Sequence, residues 1–485
     1  MTADFVLTGG LVADGTGAAA VAADLAVAGD RIAAIGAPGT LAAGRRIDCA
    51  GRMVAPGFID AHTHDDAILF DLPDMPMKTS QGVTTVVTGN CGVSTAPVAL
   101  PGDPPPPLDL LGGRGTYRFA RFAEWRRALA AEPAAVNAIG LVGHSALRVC
   151  AMDRVDRPAT AAEIAAMGEA LDGAMADGAL GLSTGLFYAP ARAAPTAEIV
   201  ALARIAAAHG GLYATHLRDE GAHLEASVEE ALRIGREADL PVVLSHHKAA
   251  GKPNHGKTAR TLPLIDAARR RQRVALDVYP YVASSTVLSP ERVAAATRVL
   301  VTWSKPHPEL GGRDLADIAR EWDVTVEAAA GRLLPAGAIY FAMAEEDVRR
   351  VLSWPEAMIG SDGLPHDTHP HPRLWGTFPR VLGHYARDVG LFAVEEAIRR
   401  MTSLPAKRLG LRDRGTLRAG AFADIVVFDP KRVIDRATFA EPKLAGEGIE
   451  RTFVNGRAVW ENGAIAGARP GRALARDAAA MDYSA

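Results

Sequence analysis

Between about residue 57 and residue 412, short apolar runs alternate with longer Ala- and Glu-rich stretches whose apolar positions recur at helical spacing. Eight of the runs read as strands: Gly57–Ala61, Val83–Thr88, Ala138–Val142, Ala179–Ser183, Leu212–Thr215, Val242–Ser245, Val274–Val278 and Ala357–Ile359. The stretches between them read as helices, as at Ala162–Met175, Ala197–His209 and Ala222–Ala238. Strands joined by crossover helices run parallel, so this alternation predicts an α/β fold of the (β/α)8 TIM-like barrel type rather than an open sheet. No internal repeat favours a solenoid or propeller.

The two ends of the chain carry a different pattern. Phe5-Val6-Leu7-Thr8 runs into Gly9-Gly10, and Ala23–Val27 runs into Gly29-Asp30. Near the other end, Ala423–Phe428 and Thr452–Val454 read as strands, and Asn455-Gly456 and Asn462-Gly463 are hairpin-turn dipeptides. Neither end alone has enough strands to bury a core. Residues 1–56 and 413–485 are therefore expected to form one small β-sandwich domain beside a catalytic barrel of residues 57–412.

One connection is too long for a minimal barrel. Residues 284–344, after the seventh strand, read as a helical insertion, as at Arg313–Trp322 and Val326–Leu334. A long excursion on the catalytic face points to a lid, a decorative excursion being the plainer alternative. The Pro104–Pro107 run inside 101–120 reads as stiff irregular loop.

Composition narrows the class. Hydrophobic residues make up 48% and charged residues 22%, which excludes a disordered chain. Lys and Arg number 53 against 56 Asp and Glu, a net charge of −3, which argues against nucleic acid or an anionic membrane as partner. No apolar run is long enough to span a bilayer, and no secretory signal precedes Arg31. Three cysteines cannot build a disulfide framework, so a cytoplasmic location is expected. Monomer and small homo-oligomer both remain open.

The chemistry gathers at strand ends. His62 and His64 flank Thr63 directly after the first strand, and side chains two apart in a strand point to one side. Cys91 follows the second strand, His216 ends the fifth, His246 and His247 end the sixth and Asp362 ends the eighth. A barrel collects these ends on one rim, where such folds keep their active sites. Imidazole, thiolate and carboxylate suit zinc. Which of His246 and His247 faces the mouth is open on the residues alone.

The run Ala55-Pro56-Gly57-Phe58-Ile59-Asp60-Ala61-His62-Thr63-His64 resembles the opening signature of the amidohydrolase superfamily. Thr88-Gly89-Asn90-Cys91-Gly92, Gly181–Leu186, Thr215–Glu220, Ser245-His246-His247-Lys248 and Gly360-Ser361-Asp362-Gly363 narrow the resemblance to the N-acyl-D-amino-acid deacylases, or D-aminoacylases. Gly376–Arg380, Met401–Ala406 and Gly420–Val426 extend it over nearly the whole chain. The resemblance implies a tight zinc held by Cys91, His216 and His246, and a weaker second position surrounded by His62, His64 and Asp362. It also implies that Lys248, Tyr279 and Arg373 hold the substrate's α-carboxylate, with Ser285 adding a hydroxyl nearby. Hydantoinase-like relatives bridge two metals with a carboxylated lysine on the fourth strand. Here the only lysine before Lys248 is Lys78, ahead of the second strand, and Cys91 is the expected substitute. Cys49 and Cys150 are expected to be small buried hydrophobes.

A mechanism follows from that set. Zinc held there would lower the pKa of a bound water to about 7, and Asp362 would be expected to take its proton and pass it to the leaving amine. The expected partner is a small N-acyl-D-amino acid. Hydrolysis of a cyclic amide, a ureido group or a D-residue dipeptide is the alternative, and no Gly-x-Ser-x-Gly elbow supports a serine hydrolase.

Overall fold

The computed structural model describes residues 3–483. Its barrel strands, numbered here β1 to β8, are Phe58–Asp60, Val83–Thr88, Asn137–Gly140 continued by Val142–Gly143, Gly181–Gly185, Leu212–His216, Val242–Leu244, Val274–Val278 and Ala357–Ile359. Neighbours pair in parallel all the way round, for example Gly181 with Leu212 and Leu276 with Ala357. Around the break in β3 the ladder is carried to its neighbours by Leu141 N–H to Thr88 O on β2 (2.9 Å) and by Leu180 N–H, just ahead of β4, to Gly140 O (2.8 Å). Ala61 N–H to Ile359 O (3.2 Å) closes β1 on β8.

Strand periodicity sorts the apolar side chains into two layers. Ile59, Val87, Ile139, Leu212, Ala214, Val243, Ala275 and Met358 fill the barrel, while Phe58, Val86, Leu182, Tyr213, Leu244 and Leu276 pack outward against the helices. At the N-terminal end of the strands the barrel is stopped by Leu404, Leu409 and Leu411 and by the C-terminal tail, whose Leu474, Met481 and Tyr483 join the same cluster. The tail is tied there by Ala138 N–H to Arg472 O and Leu474 N–H to Ala138 O.

Both chain ends share one nine-stranded sheet. Its N-terminal and C-terminal halves meet where Met53–Pro56 pairs antiparallel with Ile425–Phe428. The sheet closes over its own core, with Phe5 stacked on Phe453 at 5.1 Å. The Asn-Gly dipeptides make the expected two-residue turns: Val454 pairs with Arg457 and Glu461 with Ala464, and all four turn residues have positive φ. Gly456 is required outright, since a Cβ there would sit 2.0 Å from Gly29 O.

The segment between β7 and β8 differs from its helical reading. The helices Leu315–Glu321 and Val326–Leu333 are present, but they cover a three-stranded antiparallel sheet of Ala283–Val287, Ala336–Phe341 and Arg298–Ser304. The first of these strands, Ala-Ser-Ser-Thr-Val, has no apolar alternation to betray it. This unit has its own core around Leu315, Ile318, Val301 and Tyr340. Among the described residues, no helix is long and apolar enough to cross a membrane.

Candidate active site

The donors sit at the C-terminal ends of the barrel strands, and three of them are placed by unusual backbone. Cys91, His246 and Asp362 have φ of 54°, 36° and 50°, left-handed conformations that cost a non-glycine residue about 1–3 kcal/mol each and are typical of functional sites. Asp277 on β7 steadies two of the arms, accepting from His246 N–H (2.9 Å) and lying 3.3 Å from His62 Nδ1.

Those arms bring the side chains together in a buried cluster. Cys91 Sγ lies 3.3 Å from His62 Nε2 and 3.4 Å from His246 Nε2. Asp362 Oδ1 lies 3.5 Å from His62 Nε2 and 3.2 Å from His64 Nε2. His62, Cys91, His246 and Asp362 each offer one ligand atom within 4.8 Å of the others. His216, Glu220 and His246 form a second such group, with the His216 and His246 rings 4.6 Å apart. The grouping thus crosses the two sets expected from the resemblance, with His246 shared. The donor chemistry fits zinc, and the buried Nδ1 atoms of His216 and His64 have no partner within the protein.

The electrostatics suit a cation. Burial works against a thiolate at Cys91, yet the His62 and His246 charges hold the thiol well below its usual value. Burial likewise opposes ionisation of Asp362, but the Arg373 guanidinium, followed by His62 and His246, keeps the carboxyl well below the ordinary range. At Glu220 burial is outweighed by Lys248, His216 and His246. Glu220 is 3.0 Å from His246 Nδ1, close enough to orient that imidazole, and 3.8 Å from His216 Nε2.

Arg373 is wholly buried beside Asp362, its Nη1 2.8 Å from Asp362 Oδ2, its Nη2 donating to Ser285 O (3.1 Å) and its guanidinium carbon 4.5 Å from the Tyr279 ring centre. His371 Nδ1 accepts from the Arg373 backbone N–H at 3.0 Å. Arg373 Nε, Tyr279 Oη and Ser285 Oγ are all buried without partners. Ser285 comes from the first strand of the insertion, whose Thr286 also bonds Tyr188 Oη (2.9 Å), and Tyr188 packs on His216 at 4.9 Å. The insertion therefore supplies one wall of the site.

Lys248 Nζ lies 5.6 Å from the Tyr279 ring centre, the ring that Arg373 also faces, and contacts Glu220 Oε1 (2.5 Å), His246 Nδ1 (2.7 Å) and His246 O (2.9 Å). His247 turns away into the helix layer, 2.7 Å from Thr261 Oγ1, and burial, followed by the charge of Lys248, lowers its pKa to about 4. His144 lies 3.0 Å from Glu198 and takes no part in the cluster. Cys49 is buried as expected, but Cys150 is exposed on the helix His144–Ala151. Glu220 and Asp277, neither among the expected donors, also reach the cluster through His246. Their signals were an acid four residues beyond His216 and an acid inside the apolar run Val274–Val278.

The family model described as "Amidohydrolase family" matches residues 45–301 and 313–460. The D-aminoacylase of Alcaligenes xylosoxydans xylosoxydans is 57% identical over 98% of each chain. This chain belongs to the amidohydrolase family, in its N-acyl-D-amino-acid deacylase branch. The N-acyl-D-aspartate deacylase of the same organism is 52% identical to this amidohydrolase, over 98% of this chain and 95% of that one. In structure, the amidohydrolase resembles the N-acyl-D-glutamate deacylase of Bordetella bronchiseptica, crystallised with zinc and a phosphonate inhibitor, at a TM-score of 0.95 and 50% identity. That match covers 98% of this chain and 100% of the other.

Proposed function

We propose that this amidohydrolase cleaves the amide bond of N-acyl-D-amino acids, with zinc, to a carboxylate and a free D-amino acid. The observation that carries the reading is the contact of Asp362 with both the metal-type donor cluster on one side and the buried Arg373 on the other. In this reading Cys91, His216 and His246 hold a tight zinc, and His62, His64 and Asp362 a weaker second one. When bound, zinc supplies a Lewis acid that polarises the scissile carbonyl and makes water nucleophilic near neutral pH. Asp362 takes the water's proton on its carboxylate and delivers it to the amine nitrogen, which cannot leave unprotonated. Arg373 grips the α-carboxylate, and Tyr279 Oη and Ser285 Oγ, both unpartnered, hydrogen-bond it. Lys248, whose Nζ lies 5.6 Å from the Tyr279 ring centre, joins Tyr279 and Arg373 in holding the α-carboxylate.

Handedness follows from two fixed points. With the amide held at the donor cluster and the carboxylate at Arg373, exchanging hydrogen and side chain at Cα drives the L-side chain into the wall. We further propose residues 1–56 with 413–485 and residues 57–412 as the two domains, 284–344 as a lid, and a cytoplasmic location. The cyclic-amide alternative gains no support from β4, which offers no lysine to carry a carboxylate bridge. The test is a screen of the zinc-loaded protein on N-formyl, N-acetyl and longer N-acyl forms of all D- and L-amino acids. Hydrolysis confined to D-substrates is expected; equal rates on both hands would remove the assignment.

A further inference from the structure

Lys78 stands on the short helix Pro76–Thr79 between β1 and β2, and its side chain is completely buried. Its Nζ donates to Asp60 Oδ2 (2.7 Å) and Ser361 Oγ (2.9 Å) and lies 3.2 Å from Asp65 Oδ2. These three partners bracket one half of the donor cluster. Asp60 is two residues before His62, Asp65 follows His64, and Ser361 precedes Asp362.

The bracket is closed by backbone. Asp60 Oδ1 accepts from Ser361 N–H (2.7 Å) and His62 N–H (3.4 Å), Asp362 N–H donates to His62 O (2.8 Å), and Ser361 Oγ accepts from Gly363 N–H (3.3 Å). The hydrogen-bond ring so formed joins the end of β1 to the end of β8, the seam at which the barrel closes. One ammonium ties its two sides. From the same segment, Gln81 Nε2 donates to Leu374 O (2.8 Å) and Gln81 Oε1 accepts from Phe378 N–H (3.2 Å), fixing the helix Arg373–Arg380. A methionine would fill the space of Lys78 without the desolvation cost of a buried charge. Packing alone therefore does not account for a lysine here.

We propose that Lys78 is a positioning residue: through Asp60 and Ser361 it sets the left-handed turn that presents Asp362 and the spacing of Asp362 from His62 and His64. It touches neither substrate nor metal. The proposal rests on the deacylase reading for its kinetic consequence, but its geometric consequence stands apart from that reading.

The experiment compares wild type, Lys78→Met and Ser361→Ala as full-length proteins. Circular dichroism and thermal melting establish folding, chelator competition gives the affinity of the first and second zinc equivalents, and kcat and KM are measured on the best N-acetyl-D-amino acid from the screen. Both variants are expected to fold and to bind the first zinc equivalent like wild type. The second equivalent should weaken by about 10- to 100-fold and kcat fall over the same range, with KM within roughly threefold. A folded Lys78→Met protein with wild-type kcat and wild-type affinity for the second equivalent overturns the proposal, as does a parallel loss in both zinc equivalents, kcat and KM. If Lys78→Met does not fold, Ser361→Ala, which removes only a hydroxyl, decides by the same criteria. If wild type hydrolyses no N-acyl-D-amino acid, the deacylase reading fails and the two zinc affinities alone decide the role of Lys78.

Discussion

Arg373 Nη1 lies 2.8 Å from Asp362 Oδ2, so the guanidinium assigned to a substrate carboxylate holds the proposed proton carrier in its absence. Replacing Arg373 by Ala should lower kcat/KM for free-acid D-substrates by roughly 2–5 kcal/mol, the scale for breaking a buried charge pair. The matching α-amides, which lack the negative charge, should lose much less. A two-by-two comparison of wild type and variant on acid and amide forms measures this. Equal losses on both would make Arg373 a partner of Asp362 only.

Cys91→Ala should abolish tight zinc binding and nearly all turnover while leaving the barrel folded, because the thiolate side of the cluster disappears. Zinc analysis and circular dichroism on the same preparation check it. Full zinc occupancy with normal turnover would remove Cys91 from the ligand set.

Asp362→Ala should separate metal from chemistry. Tight zinc stays, since Cys91, His216 and His246 remain, while turnover falls by roughly 10²–10⁴-fold, the range for losing a general acid–base. Loss of the tight zinc in this variant would mean that Asp362 is mainly a ligand.

Away from the site, Glu198 is buried with His144 and Arg148. Burial opposes its ionisation, but His144 and Arg148 carry its pKa down from 4.5 to about 2. A carboxyl depressed on folding contributes stability above its unfolded pKa and loses it as pH falls toward the folded value. Wild type should therefore lose on the order of 3 kcal/mol between about pH 5 and pH 2 from this group alone. In Glu198→Gln that loss is absent, so the stability gap between the two proteins should narrow with acid. Urea midpoints at several pH values report it, and a gap independent of pH would refute it.

The strands Val83–Thr88, Val274–Val278 and Ala357–Ile359 were legible because barrel strands are buried on both faces and read as short runs dominated by apolar and β-branched residues. The strand-end donors were legible for the same reason, since each ends such a run or follows it within a few residues. Glu220 and Asp277 were not, because their roles depend on which imidazole the folded barrel brings within reach. The sheet inside 284–344 was hidden by Ala283–Val287, whose polar positions are buried against the site instead of facing water.

The shared sheet also sets an order of assembly. Met53–Pro56 leaves the ribosome early, but its partner Ile425–Phe428 is made about 370 residues later, a delay of roughly 20–70 s at ordinary elongation rates. Throughout that interval one edge of the N-terminal strands has an open row of amide and carbonyl groups, a template for pairing with a neighbouring nascent chain. The barrel, synthesised in between, is left without its C-terminal stopper until Leu474, Met481 and Tyr483 arrive. Slower growth temperatures and holding chaperones should therefore raise the soluble yield of this protein more than they change the stability of the finished molecule.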